Sequence, residues 1–204
     1  MKKIIGLTGG IGAGKSLILE ILSKVYGACV LQEDSMDKEL TRPGKPAYYE
    51  VVKAFGSEIL AAGGGETEPA IDRSALAAVV YGDESGEKLR LLESIVHPAV
   101  RAEVERIIAE TEGLIVVESA IPEKAEFKAF CDEIWYVRAD LEIRIQRLME
   151  SRGYTRKRCE EAVSRQMSDE EYAAIADRII DNSGDTEGTV LQLVEIMKAF
   201  DRQR

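Results

Sequence analysis

The stretch Lys2-Lys3-Ile4-Ile5-Gly6-Leu7-Thr8-Gly9-Gly10-Ile11-Gly12-Ala13-Gly14-Lys15-Ser16-Leu17-Ile18-Leu19-Glu20-Ile21-Leu22 decides the fold. Its first part is short and apolar enough for a buried strand, and its last part reads as helix. Between them, Gly9 to Ser16 fits the pattern G-x-x-x-x-G-K-S/T, a phosphate-binding loop. The glycines let backbone N–H groups turn inward around an anion, and the helix N-terminus adds its positive dipole end. Gly9, Gly10, Gly12, Ala13, Gly14, Lys15, Ser16 and Leu17 are therefore expected to line a nucleotide site. Lys15 would reach the terminal phosphates and the Ser16 hydroxyl would hold Mg²⁺. The loop implies a nucleoside triphosphate and leaves the reaction open.

Outward from the loop, apolar segments alternate strand and helix, which predicts an α/β fold with a parallel sheet and crossover helices. The strand candidates are Ile4–Leu7, Cys29–Leu31, Leu114–Val117, Ile134–Val137 and Arg178–Ile180. Short, uniformly apolar runs suit strands covered on both faces. The second and third are separated by a long helical stretch from about Ser35 to Glu112, broken at Arg42-Pro43-Gly44 and over Ala61–Pro69. This reads as an inserted helical subdomain. Within it, an apolar helix Leu89–Val96 is expected to end before His97-Pro98. After the fourth strand, Asp140–Ser151 reads as a helix with Asp140 as N-cap. A polar helix from about Arg156 to Met167 follows the break at Arg152-Gly153-Tyr154-Thr155.

The chain has 204 residues, 45% hydrophobic and 31% charged, which suits one sizeable core with small appended elements. A formal net charge of −10 argues against a nucleic-acid surface, since phosphate contacts need clustered Lys and Arg. No apolar run approaches a membrane span, and the N-terminus enters a strand, so neither membrane insertion nor a signal peptide is expected. Cys29, Cys131 and Cys159 lack metal-ligand spacing and read as thiols of a reducing cytoplasm. A single histidine, His97, excludes a multi-histidine metal site.

Phosphoryl transfer needs phosphates held, charge neutralised and an acceptor oxygen aligned. Sites in open parallel sheets lie beyond the carboxyl ends of the strands, which points to Glu33 and Asp34 after the second strand. Asp34 would accept a hydroxyl proton or position Mg²⁺; alternatively it caps a helix starting near Ser35. Glu118, ending the third strand, is either a Mg²⁺-organising carboxylate or an exposed strand-end acid. Arg144 and Arg147 are three residues apart and share a helix face, as a phosphate clamp or as a solvated surface. His97 is a substrate contact or a structural residue.

The chain resembles the dephospho-coenzyme A kinase family over nearly its whole length. The likeness rests on Ile5 to Ser16, Arg42-Pro43-Gly44-Lys45-Pro46-Ala47, Ala54 to Leu60, and Ile71-Asp72-Arg73-Ser74-Ala75-Leu76. It continues in Leu92-Glu93-Ser94-Ile95-Val96-His97-Pro98, Arg165-Gln166-Met167-Ser168, and Ala176 to Gly184. The resemblance implies one kinase domain with three parts: a nucleotide core (1–34, 113–140, 173–204), a helical coenzyme A subdomain (35–112) and a helical lid (141–172). It implies ATP and Mg²⁺, and transfer of the γ-phosphoryl to the ribose 3′-hydroxyl of dephospho-coenzyme A, the last step of coenzyme A synthesis. It places the base or Mg²⁺-organising role on Asp34, the phosphate lysine on Lys15 and the lid arginine on Arg147. Asn182 falls at the adenine side and His97 on the segment facing the acceptor. A monomer or weak oligomer is expected.

The sequence departs from the family pattern in places. Leu17 replaces a second hydroxyl, Gln32 an aspartate, Ser151 a second lid arginine and Tyr172 a frequent basic residue. The stretches Ala62–Pro69 and Ser119-Ala120-Ile121-Pro122-Glu123-Lys124 also differ. The competing readings are a kinase for a nucleoside monophosphate or other small metabolite, and a nucleotide- or coenzyme A-binding relative without turnover. A GTPase switch is disfavoured because no Asn-Lys-x-Asp sequence is present.

Overall fold

The computed structural model describes residues 2–61, 68–120 and 124–202. Expectations placed on 62–67 and on Ile121-Pro122-Glu123 fall outside the described residues. The chain divides into two compact units: Met1–Leu31 with Thr111–Arg204, and Gln32–Glu110.

The first unit is built on β1 (Lys3–Thr8), whose apolar run pairs in parallel with a strand on either side. The other strands are β2 (Cys29–Gln32), β3 (Leu114–Glu118), β4 (Glu133–Arg138) and β5 (Arg178–Asp181), in the order β2-β3-β1-β4-β5. All five lie where the sequence places them. Side chains alternate along β1. Ile5 and Leu7 enter one core with Val116, Trp135, Val137 and Ile180. That face is covered by α1 (Lys15–Tyr26) through Ile18 and Leu22, and by the C-terminal helix, Thr186–Arg202, through Leu193, Met197 and Phe200. Each such buried side chain contributes about 1.5–3 kcal/mol. The opposite face is closed by a short helix, Lys124–Phe130, in which Phe127 is buried. Gly6 is required there, because a Cβ would overlap the Phe127 ring and approach Cys131 Sγ to 3.0 Å.

The second unit holds α2 (Glu33–Leu40), α3 (Pro46–Phe55), a 3₁₀ turn at Ser57–Ile59, α4 (Arg73–Tyr81) and α5 (Glu87–Glu110). The break at Arg42-Pro43-Gly44 falls between α2 and α3 as expected. Leu60 and Ile71 pair antiparallel on either side of the glycine-rich segment. Asp72 caps α4 by accepting from the Ser74 and Ala75 N–H groups.

Three helix boundaries correct the sequence reading, two of them in this unit. Helix α5 does not end before His97-Pro98; it continues through Pro98 to Glu110. Proline removes one backbone donor from a helix interior. The stripe Val96, Val100 and Val104, four residues apart and buried, holds the helix across that gap. Helix α2 begins at Glu33, so Asp34 sits inside its first turn, and the cap position belongs to Gln32, which makes no side-chain cap bond.

After β4 come α6 (Leu141–Arg152), α7 (Arg156–Ser164) and α8 (Asp169–Ile175). The polar helix thus stops at Ser164 rather than near Met167. Asp140 holds the α6 cap position but makes no side-chain cap bond; its carboxylate pairs with Arg138 at 2.6 Å. Ser168 and Glu171 form a reciprocal capping box at α8. All three helices belong to the same compact unit as the sheet.

Candidate phosphate-binding site

The loop between β1 and α1 turns on glycines. Gly9, Gly12 and Gly14 have φ of 148°, 79° and 95°, values that side-chain-bearing residues rarely adopt. Gly14 is the N-cap of α1 and offers no side chain to its first N–H groups. The Leu17 N–H closes back on the Gly14 carbonyl at 3.1 Å, and the positive end of the helix faces the loop, where it favours an anion.

Lys15 is folded back over this loop. Its Nζ donates to the Gly9 carbonyl at 2.6 Å and lies 3.5 Å from Glu118 Oε1. Glu118 is 7% exposed, so it is not the exposed strand-end acid that one reading of the sequence allowed. Ser16 is exposed and Leu17 half-buried at the start of α1.

Asn182, just past β5, is buried. Its Nδ2 donates to the Ala13 carbonyl at 2.8 Å, and its Oδ1 accepts from Thr189 Oγ1 at 2.9 Å. One end of the amide thus holds the loop, and the other is fixed by the C-terminal helix. Arg147 on α6 joins this contact: Nη2 donates to the Asn182 carbonyl at 2.9 Å and Nη1 to the Ala13 carbonyl at 3.4 Å.

Arg144 does not share that arrangement. It is 5% exposed and donates from Nε to the Ile11 carbonyl at 2.9 Å. Arg144 is therefore no solvated surface residue: its guanidinium is bound to the loop backbone.

Beside it, Tyr136 donates to Asp169 Oδ1 at 2.7 Å and stacks on Tyr172, ring centroids 5.0 Å apart. Burial, then the Asp169 hydrogen bond, pushes the Tyr136 phenol well above its ordinary range. Burial pushes Tyr172 up to about 12, with Arg144 opposing. Tyr172 is fully buried and donates to the Ala120 carbonyl at 2.7 Å. Ser151 donates to the Arg147 carbonyl at 2.6 Å, one turn back.

Two further expected site residues lie in the helical unit. Asp34 is exposed in the first turn of α2, and His97 is exposed in the middle of α5.

The dephospho-CoA kinase family model matches residues 3–188. The chain belongs to the dephospho-CoA kinase family. It is 37% identical over 201 residues to the dephospho-CoA kinase of Carboxydothermus hydrogenoformans, covering 97% of this chain and 94% of that one. It is 38% identical over 197 residues to that of Geobacter sulfurreducens, covering 95% and 96%. The crystal structure of TT1252 from Thermus thermophilus superimposes with a TM-score of 0.83 at 26% identity, covering 98% of this chain and 97% of that one.

The loop's supports were only partly legible to sequence reasoning. Within the dephospho-CoA kinase resemblance, Gln166 stands in a matching block, yet nothing in its local pattern shows that its side chain meets Ile11. Its Oε1 accepts from the Ile11 N–H at 2.7 Å, a contact across 155 residues of chain.

Proposed function

We propose that this protein transfers the γ-phosphoryl group of ATP to the ribose 3′-hydroxyl of dephospho-coenzyme A. The observation that supports this most is the loop at Gly9–Ser16, with its glycine turns and an α1 N-terminus left without a side-chain cap. Membership of the dephospho-CoA kinase family supplies the acceptor.

In this reading the loop from Gly9, Gly10, Gly12, Ala13 and Gly14 through Leu17 surrounds the phosphates, with the Ala13 and Leu17 N–H groups turned onto the Gly10 and Gly14 carbonyls to shape it. Lys15 leaves the Gly9 carbonyl and Glu118 and follows the transferring group. Arg147 adds positive charge beside the loop and helps exclude water, which limits loss of ATP to hydrolysis. Asp34 accepts the proton of the attacking hydroxyl, and His97 contacts the acceptor. Asn182 serves the adenine side by holding the loop. Ser16 and Glu118 are oxygen donors of one unit, the chemistry Mg²⁺ prefers; for Asp34 the Mg²⁺ role rests on the family resemblance. Mg²⁺ would neutralise charge on the β- and γ-phosphates. No described helix is long and apolar enough to cross a membrane. Action in the cytoplasm on small molecules, as a monomer or weak oligomer, belongs to the same proposal.

A panel of acceptors with ATP and Mg²⁺, read as ADP and phosphorylated product, tests the reading. Dephospho-coenzyme A is expected to be the preferred acceptor. Rapid phosphorylation of a nucleoside monophosphate with none of dephospho-coenzyme A would replace it with a different kinase.

A further inference from the structure

Ile11, in the phosphate loop, is held through both of its backbone polar groups. Its N–H donates to Gln166 Oε1 at 2.7 Å, and its carbonyl accepts from Arg144 Nε at 2.9 Å. The two supports also touch each other, since Arg144 Nη2 donates to the same Gln166 oxygen at 3.3 Å. Arg144 is fixed in turn by Asp169, 3.8 Å from its Nη1, and Asp169 is held by Tyr136. The Ile11 side chain packs against Ile145, Leu148 and Cys159, the small core of α6 and α7.

The phosphate motif leaves positions 10 and 11 unspecified. Gly10 is not among the glycines with positive φ, so φ does not demand a glycine there. A Cβ at Gly10 would instead collide with the Arg144 guanidinium. A side chain at position 10 would thus displace the Arg144 guanidinium from where it meets the loop.

We propose that Gln166, together with Arg144, is a positioning residue: it keeps the phosphate loop in its anion-ready shape before nucleotide arrives. The proposal rests on the reading that this loop takes the phosphates of ATP. A glycine-rich loop without such support populates other shapes, and apparent affinity falls with the fraction that is competent. Arg144 meets the loop carbonyl but cannot satisfy the Ile11 N–H. Gln166 is the acceptor for that donor, and an unsatisfied donor would favour loop conformations that turn the N–H to water.

The test uses the full chain and ATP without acceptor. Gln166→Met keeps length and removes the acceptor; Gln166→Glu keeps an acceptor oxygen facing both Ile11 and Arg144. Calorimetric titration is expected to show ATP binding weakened about tenfold in Gln166→Met and close to wild type in Gln166→Glu. Wild-type affinity in folded Gln166→Met overturns the proposal, as does Gln166→Glu binding as weakly as Gln166→Met. Hydrogen exchange at the Ile11 amide of the unaltered protein gives a second reading that needs no variant. Protection before ATP is added supports the clamp, and exchange at the rate of an open amide overturns it. If the unaltered protein bound no ATP, the nucleotide reading would fall, while the exchange rate would still decide whether the clamp exists.

Discussion

Lys15 and Glu118 form an ion pair at 3.5 Å across the phosphate loop, with side chains only 14% and 9% exposed. The lysine also donates to Gly9 O, so before substrate its charge is neutralised by oxygens of its own unit. An arriving phosphate would exchange for those oxygens at little geometric cost. Lys15→Ala is expected to lower turnover at least about 10²–10³-fold, the effect of losing charge directed at the transferring group. Steady-state ADP formation with far-UV dichroism checks this; near-normal turnover in a folded variant would mean that the loop is not the working site.

Arg147 is expected to matter far more than another arginine-rich-segment cation. Its guanidinium lies on the Ala13 and Asn182 carbonyls, whereas the Lys157 side chain is 87% exposed. Arg147→Ala should reduce kcat/KM by about 10²-fold or more, and Lys157→Ala should leave it near wild type. Equal, small effects would return Arg147 to a surface role.

Asp34→Asn separates chemistry from folding. Asp34 lies in the first turn of α2, where its charge interacts with the helix dipole for about 0.3–1 kcal/mol, and it is not the cap. The thermal midpoint should therefore fall only slightly. Turnover should fall by about 10²–10⁴, the range for loss of a positioned acid or base. Glu33→Gln, in the same helical turn, should cost much less. A larger loss in Glu33→Gln would transfer the role to that carboxylate.

Gly14→Ala should lose both stability and ATP affinity. At φ 95° the alanine is strained by about 1–2 kcal/mol, and its Cβ would overlap Asn182 Nδ2, breaking the bond to Ala13. Gly27→Ala is the control, with φ 68° and nothing within 4 Å of the added Cβ. Its midpoint should fall comparably through backbone strain while ATP affinity stays unchanged. Titration and thermal melting of both variants distinguish the effects; unaltered ATP affinity in Gly14→Ala would refute the link between Asn182 and the loop.

Alkaline pH should destabilise the sheet unit. The Tyr172 phenol is neutral in the fold up to about 12, against an ordinary value of 10.0. Its raised pKa gives stability that is fully present below about pH 10 and is lost as pH rises towards 12. Tyr136 shifts in the same direction. Urea midpoints measured across that window, alongside tyrosinate absorbance, should fall with rising pH. Tyr172→Phe should flatten the fall, and an unchanged slope would assign it to other groups.

The strands and the phosphate loop were legible because their signals are local. An apolar run followed by closely spaced glycines, lysine and serine has few other structural readings, and the five strand positions agree with the structure. The boundaries at Pro98 and Glu33 were less legible. A proline within an otherwise well-packed helix costs one hydrogen bond, and only the burial of Val96, Val100 and Val104 shows that packing outweighs it. Arg144 and Arg147 were indistinguishable as members of one basic helix face.

By itself, the sequence determined that a phosphate loop precedes a helix in an α/β chain, and it marked Lys15, Ser16 and Glu118 as chemical candidates. Tertiary structure alone decided which distant groups hold that loop: Asn182 on Ala13, Arg147 beside it, and Arg144 with Gln166 on Ile11. The reason is physical. Backbone turns follow from neighbouring residues, but the partner of a buried N–H or C=O is whichever side chain the fold brings within reach, and separations of 133 to 169 residues leave no local trace.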